Sequence, residues 1–433
     1  MKPLIIISAL YLLSVHTVRA QLILTSEQCR QMALENSEEI KIANLQYEKA
    51  CIDKSAVRTS YFPKIAASAT YAYLFEDIEM GFDFELMAGI SIPINMPLSM
   101  KGAYMAGIML QQPIYTGGKI ATGNKMADKG VEITAENKRL AQMTAIAEAE
   151  SAYWIYISVK EKVVLLERYN ALLDSLYQNI ENYTQALMAT ENDLQKVRTR
   201  RSALRYELQR ARNGLELSRM ALCRLIGVDA ETSVVATDTI ITVQNETDCN
   251  YDLALRPEYT ILKKQTELKE LEIKLVRADF LPMIGASAGY SYAGGIKMAG
   301  SSLEMNLPVV MASVNIPLFH FGEGSKKIKI ARIAYQMSTL EMEKNVKLMN
   351  IEAQNALKEF QNSFLMIQTA EEALAEAENN LRLSSNNYEL QMGTVIDILD
   401  AQARWQEAYS NIIEARANCK IKEVEYKKAA GKL

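Results

Sequence analysis

Pro113-Ile114-Tyr115-Thr116-Gly117-Gly118 returns later in the chain as Pro317-Leu318-Phe319-His320-Phe321-Gly322. The offset is 317 − 113 = 204, and it also carries Met188-Ala189-Thr190 with Asp193-Leu194 onto Met392-Gly393-Thr394 with Asp397-Ile398, and Ile226-Gly227 onto Ala430-Gly431. Upstream, Phe62-Pro63-Lys64-Ile65-Ala66-Ala67-Ser68-Ala69-Thr70-Tyr71 reappears as Leu281-Pro282-Met283-Ile284-Gly285-Ala286-Ser287-Ala288-Gly289-Tyr290, now with an offset of 282 − 63 = 219. The first copy therefore carries 219 − 204 = 15 additional residues, which read as a longer first external loop around Glu76 to Ala103. A repeat of this length predicts a duplicated structural unit.

Each copy reads as helix, strand, loop, strand, very long helix and second helix. In the first repeat (21–226) the strands fall at about 64–75 and 104–112, the long helix at about 118–187 and its partner at about 192–226. An inter-repeat linker covers 227–250. In the second repeat (251–433) the strands fall at about 283–293 and 309–317, the long helix at about 322–390 and its partner at about 394–430. A proline-free helix of roughly 70 residues would reach on the order of 100 Å at about 1.5 Å per residue, too long for a globular core.

Its apolar residues recur on sevens. Ala152, Val159, Leu166, Leu173, Ile180 and Leu187 form one line, with Tyr169, Leu176 and Tyr183 on another. Phe360, Ile367, Leu374, Leu381, Tyr388 and Val395 form the second-copy line, faced by Ser363, Ala370, Ala377 and Ser384. The shorter helices repeat the device with Ile398, Trp405, Ile412, Cys419 and Tyr426, matched by Leu194, Arg201, Leu208, Leu215 and Leu222. Seven-residue spacing predicts supercoiled helices, here two antiparallel hairpins that turn near Met188 and Met392. Helices alone would equally suit a soluble cytoskeletal or tethering coiled coil.

The strands argue against that. Ile65, Ala67, Ala69, Tyr71 and Tyr73 alternate with polar or small residues, and Ile284, Ala286, Ala288, Tyr290 and Tyr292 share their parity. Strands of about ten residues with terminal tyrosines suit an outer-membrane barrel, an ordinary half-buried sheet being the alternative. Four strands cannot close a barrel, and open edges in lipid leave backbone groups unsatisfied, so copies of the chain must share one. Three copies supply twelve strands.

At 49% apolar and 23% charged residues the chain is an ordinary folded protein, and a net charge of −4 argues against nucleic acid as a partner. Residues 1–20 read as a signal peptide: a basic start, an apolar run from Leu4 to Val15, and Val18-Arg19-Ala20 before a cleavage point at Gln21. No Cys follows that point, so no amino-terminal lipid anchor is expected. Cys29, Cys51, Cys223, Cys249 and Cys419 show no framework spacing; buried apolar roles are expected, with a disulfide left unassigned. The two histidines, His16 and His320, offer no triad, and no zinc spacing or phosphate loop is present. No catalytic residue, cofactor or metal site is expected.

The paired strands and hairpins, the Pro-Ile-Tyr-Thr-Gly-Gly and Pro-Leu-Phe-His-Phe-Gly junctions, and the run Asp397-Ile398-Leu399-Asp400-Ala401-Gln402 together resemble the TolC-type outer-membrane efflux family. The likeness extends from about Thr25 to Gly431. It implies a mainly α protein with a membrane β-barrel: four strands per chain in a shared twelve-stranded barrel, a homotrimer in outer-membrane lipid, and a helical tunnel in the periplasm. It implies the passive exit duct of a tripartite efflux or type I secretion system, fed by an inner-membrane transporter through a periplasmic adaptor. It also implies a constriction at Asp397 and Asp400, a hairpin link at Asp193, and adaptor contacts at the tips near Thr190 and Thr394. Spacing alone allows the two acids to be solvated first-turn residues. Gly393 stands where an arginine would complete the link, which leaves Arg198, Arg200 and Arg201 as candidates. The competing function is a periplasmic adaptor or structural coiled-coil protein that conducts nothing.

Overall fold

The computed structural model describes residues 22–87, 90–238, 251–298 and 301–433. The expected signal peptide, Cys249 and the linker residues 239–250 lie outside the described residues. In chain order the elements are β1 (Leu22–Leu24), α1 (Ser26–Asn36), α2 (Glu38–Arg58), β2 (Lys64–Tyr73), β3 (Ile78–Met87), β4 (Ile90–Ser99) and β5 (Lys101–Thr116). They continue with α3 (Lys119–Gln185), α4 (Glu191–Leu225), β6 (Val234–Ala236), α5 (Pro257–Ala278), β7 (Met283–Met298), β8 (Ser301–Asn315), α6 (Glu323–Glu389) and α7 (Val395–Ala429). Two compact units result: one from the segments up to Tyr47, Thr134–Ile261 and Glu343–Leu433, the other from Glu48–Ile133 and Leu262–Met342.

The duplication holds residue by residue in the backbone. Helices α3 and α6 are each 67 residues long, and α4 and α7 each 35. Leu187 and Gln391, related by the 204 offset, both adopt φ 60 where the hairpins turn. After each, a backbone N–H reaches back five residues, Met188 to Tyr183 at 2.7 Å and Met392 to Asn387 at 2.8 Å, the 6→1 bond that closes a helix C-terminus. Gly227 and Gly431 end α4 and α7 in the same way with φ 70 and 71. A side chain at Gly227 would put its Cβ 2.4 Å from that of Asn36, so both φ and space require glycine there.

The helical unit is built on the predicted sevens. Leu166, Leu173, Ile180, Tyr169 and Leu176 are buried with Leu194, Val197 and Leu204 between α3 and α4. Phe360, Ile367, Ile412, Cys419 and Tyr426 form the corresponding core between α6 and α7, where the Phe360 and Tyr426 rings stack at 6.0 Å. The two hairpins share an ion pair at the same place: Arg212 to Glu167 at 2.8 Å and Arg416 to Glu371 at 2.9 Å, again 204 residues apart. Cys29, Cys223 and Cys419 are buried free thiols, Cys51 a partly buried one, and burial pushes the Cys29 thiol up to about 12.

In the other unit, antiparallel β2, β5, β7 and β8 lie side by side in that order. Register aligns one parity across all four: Ala67 opposite Ile108, Ile108 opposite Tyr290, Ala69 opposite Ala106, and Ala288 opposite Val310. That face is apolar and exposed in the single chain, as at Ile65, Tyr71, Ile108, Tyr290 and Val314. No described helix is long and apolar enough to cross a membrane. The stretch read as an external loop around Glu76 to Ala103 is instead a second hairpin, β3 and β4, attached to β7 through Leu98 opposite Met298 and Ser99 opposite Lys297. Its Ile90-Ser91-Ile92-Pro93-Ile94 run has strand periodicity. The sheet thus contains the four expected strands, β2, β5, β7 and β8, and gains two more from this hairpin.

Candidate functional site at the hairpin tips

Helices α4 and α7 begin at the tips, and each begins with the same cap. Thr190 stands at the N-cap of α4 and Thr394 at that of α7. The Thr190 hydroxyl donates to Asp193 Oδ2 at 2.6 Å and accepts from the Asp193 N–H at 3.2 Å. The Thr394 hydroxyl and backbone N–H both donate to Asp397 Oδ2, at 2.7 and 2.8 Å, completing a capping box. Hydrogen bonds from Thr190 and the ammonium of Lys196, 3.0 Å away, hold the Asp193 carboxyl below its ordinary range; those from Thr394 do the same for Asp397. Both acids are thus ionised at neutral pH.

Asp400 lies one turn along from Asp397 on the exposed side of α7, with Arg404 3.3 Å from its carboxylate. The exposed positions of α7 continue as Glu407 and Asn411, so the two acids head a polar stripe that contains one compensating cation. The opposite side of the helix start, Val395 and Ile398, is buried in the core formed by Leu194 and Val197 of the first hairpin. The second tip is therefore docked on the first through side chains, with its acids turned away from the contact.

Between the tips lies a cleft of ≈ 400 Å³ lined by Tyr183, Asp193, Lys196, Tyr388, Gly393 and Thr394, among others. Burial, then the neighbouring Tyr183 and Asp193, raises the Tyr388 phenol, so it stays neutral in the cleft. Tyr388 is legible in the sequence only as a member of the seven-residue line. None of the three candidate arginines is directed at Asp397 or Asp400. Arg198 donates to the Tyr177 hydroxyl at 3.4 Å, Arg200 to the Tyr169 hydroxyl at 3.0 Å, and Arg201 pairs with Asp174 at 2.5 Å while lying over the Tyr177 ring. The cation beside Asp193 is Lys196, three residues on in the same helix, and no arginine enters from position 393. The signal for both Lys196 and Arg404 was present as i, i+3 and i, i+4 charge spacing. Among the described residues no group of three or more His, Cys, Asp and Glu side chains is placed to hold a metal ion.

Comparison with known proteins matches the model of the outer membrane efflux protein family over residues 29–228 and 253–432, one stretch in each repeat. Outer membrane protein TolC of Vibrio cholerae is 21% identical over 231 residues; that match takes in 53% of this chain and 51% of TolC, so the chain spans about half the length of this relative. Cation efflux system protein CusC of Escherichia coli O157:H7 is 20% identical over 92% of this chain and 84% of its own length. The solved Campylobacter jejuni CmeC outer membrane channel superposes with a TM-score of 0.77 at 16% identity, covering 94% of this chain and 85% of CmeC, a likeness of fold. With both halves of its duplication matched and the channel fold reproduced, the chain belongs to the outer membrane efflux protein family.

Proposed function

We propose that this protein is the outer-membrane exit duct of a tripartite efflux or type I secretion system, receiving cargo from an inner-membrane transporter through a periplasmic adaptor. The observation that carries the reading is the run of neighbouring strands β2, β5, β7 and β8, with an exposed apolar face and, among the described residues, an unpaired side on β2 and on β8, which needs lipid and further copies to be satisfied. The adaptor reading gives no account of such a sheet, and the family is one of channels.

In this reading Asp397 and Asp400, repeated around a homotrimer, form two acidic levels at the tunnel tip, with Arg404 tempering the second. Rings of carboxylates favour cations. Asp193 and Tyr388 serve as the link between the hairpins across the tip cleft, and Thr190 and Thr394 mark the ends that meet the adaptor. The test is reconstitution in planar bilayers. Asp397→Asn with Asp400→Asn should lower cation selectivity and weaken block by divalent ions, while unchanged selectivity and block would remove both acids from the constriction. Photocrosslinkers at Thr190 and Thr394 should capture the adaptor; capture only from sites on the strands would refute the tip assignment.

A further inference from the structure

The two strand-to-helix junctions share one backbone plan and differ in chemistry. Beside the second, between the end of β8 and the first turns of α6, lies an open cleft of ≈ 690 Å³ lined by Leu318, Phe319, His320, Lys329, Arg332 and Phe280, among others. Gly324 lets α6 start close against Phe280, since a Cβ there would stand 3.0 Å from the ring. The His320 ring meets that of Phe280 edge-on at 6.0 Å, and the Lys327 ammonium lies 6.0 Å from the same ring.

The start of α6 carries Lys326, Lys327, Lys329 and Arg332 against Glu323, a balance of 4 − 1 = +3. Lys327 has a carboxylate, Glu323 at 2.6 Å; among the described residues Lys326, Lys329 and Arg332 have none. Exposed lysines on α5 of the same unit do pair within their helix, Lys269 with Glu272 and Lys274 with Glu270. Lys326, Lys329 and Arg332 instead follow one another at a spacing of three, where like charges repel. Lys326 also closes the first turn of the helix, where the backbone dipole opposes a cation. Local stability therefore argues against this composition, and a bound anion would remove both costs.

The duplication supplies a comparison within the chain. The 204 offset maps Lys326 to Thr122, Lys327 to Gly123 and Arg332 to Asp128, leaving Lys119 and Lys125 against Asp128, 2 − 1 = +1. Asp128 is itself paired with Lys54 at 2.8 Å, and Lys119 with Asp279 at 2.6 Å. The first junction is built without the basic cluster, so the backbone plan does not require it. The cleft also opens at the foot of the apolar face of β8. Val310 and Val314 lie on that face, Ile316 follows in the same alternation, and Leu318, 89% exposed, lines the cleft itself.

We propose that this cleft binds an anionic glycerophospholipid, its phosphate held by Lys329 and Arg332 and one acyl chain laid along Leu318, Ile316 and Val314. The proposal rests on the channel reading above, in which β8 crosses lipid and α6 stands on the periplasmic side, so that the junction meets the periplasm-facing leaflet. Basic clusters beside a membrane span recognise anionic headgroups, and aromatic rings such as that of Phe319 suit the interface. A lipid fits better than a free anion because the cations are continuous with an exposed apolar line.

The full-length chain, purified in a zwitterionic detergent, is given equal amounts of phosphatidylglycerol and phosphatidylcholine with the same acyl chains. Native mass spectrometry should show preferential retention of phosphatidylglycerol. Lys329→Gln with Arg332→Gln should lower that preference roughly twenty-five-fold, about fivefold per cation, and Lys329→Arg should keep it. Lys125→Gln, the first-copy counterpart of Lys329, should leave it unchanged. Equal retention of the two lipids by the parent, or an equal loss in Lys125→Gln, would overturn the proposal. Displacement of the lipid by inorganic phosphate would make the site one for a free anion and overturn it as well. A lower dissociation temperature of the Lys329→Gln, Arg332→Gln oligomer in lipid-free detergent, with the lipid ratio unchanged, would assign the cations to a contact between protein copies instead. Recovery of the parent as a soluble, lipid-free monomer would refute the channel reading itself.

Discussion

Replacing Ile398 by alanine should undock the second hairpin tip from the first. The side chain is 6% exposed and packs in one core with Leu194, Val197 and Val395. Truncation removes three carbons, a transfer loss of about 2.4 kcal/mol at ~0.8 kcal/mol each. A rigid cavity would add up to about 2 kcal/mol, but the site lies at a hairpin end and can relax, so about 2.5–3 kcal/mol is expected. That is roughly a hundredfold rise in the undocked population, at tenfold per ~1.4 kcal/mol. Amide exchange read by mass spectrometry should show this acceleration across the first turns of α4 and α7 and leave the buried segment around Tyr426 protected. Ile396→Ala, two residues away and exposed, is the control and should change exchange by less than about threefold. In planar bilayers Ile398→Ala should also increase the open fraction if docking holds the tip shut. Equal exchange in Ile398→Ala and Ile396→Ala would refute the claim that this core fastens the tips.

Phe360→Ala, which empties the stacked pair with Tyr426, should cost about 3–5 kcal/mol and be visible as a large fall in thermal dissociation temperature. Arg416→Glu should destabilise the second hairpin by less than about 1 kcal/mol, and adding Glu371→Arg should restore it; a double variant no better than the single would show that the pair contributes nothing. Gly227→Ala should destabilise the helical unit by more than about 1 kcal/mol in chemical denaturation, because φ and the Asn36 contact both oppose a side chain. Asp193 and Asp397 are both held below the ordinary Asp value of 3.8, so their contribution to the caps is present above that pH and is lost as pH falls through their lower folded values. Tip amides should therefore exchange faster, after correction for intrinsic rates, at pH 3 than at pH 5; Asp397→Asn should flatten the response at α7 alone.

Much of the architecture was legible because its signals are local and occur twice. A residue such as Leu173 announces its burial by its neighbours seven away, and Tyr71 its face by alternation, without knowledge of the partner. The turns expected near Met188 and Met392 are where the structure gives Leu187 and Gln391 the same backbone conformation. The β3–β4 hairpin was missed because residues 76–103 were identified by subtraction, as what the second copy lacks, and their own alternation at Ile90 to Ile94 was not weighed. The arginines were misdirected for another reason. Arg198, Arg200 and Arg201 follow Asp193 in sequence within two to three helical turns, yet their side chains reach Tyr177, Tyr169 and Asp174 of α3.

The sequence by itself determined the duplication, the lengths of the paired helices and the faces of the strands, since each follows from spacing within one stretch of chain. Only the tertiary structure decided which cation stands beside which acid, that Val395 and Ile398 dock on the first tip while Asp397 and Asp400 face away, and that Tyr388 shares the cleft with Asp193. Periodicity states that a helix has a buried side; the angle at which that side meets its neighbour is set by the whole core at once, through the close packing of side chains that are far apart in sequence.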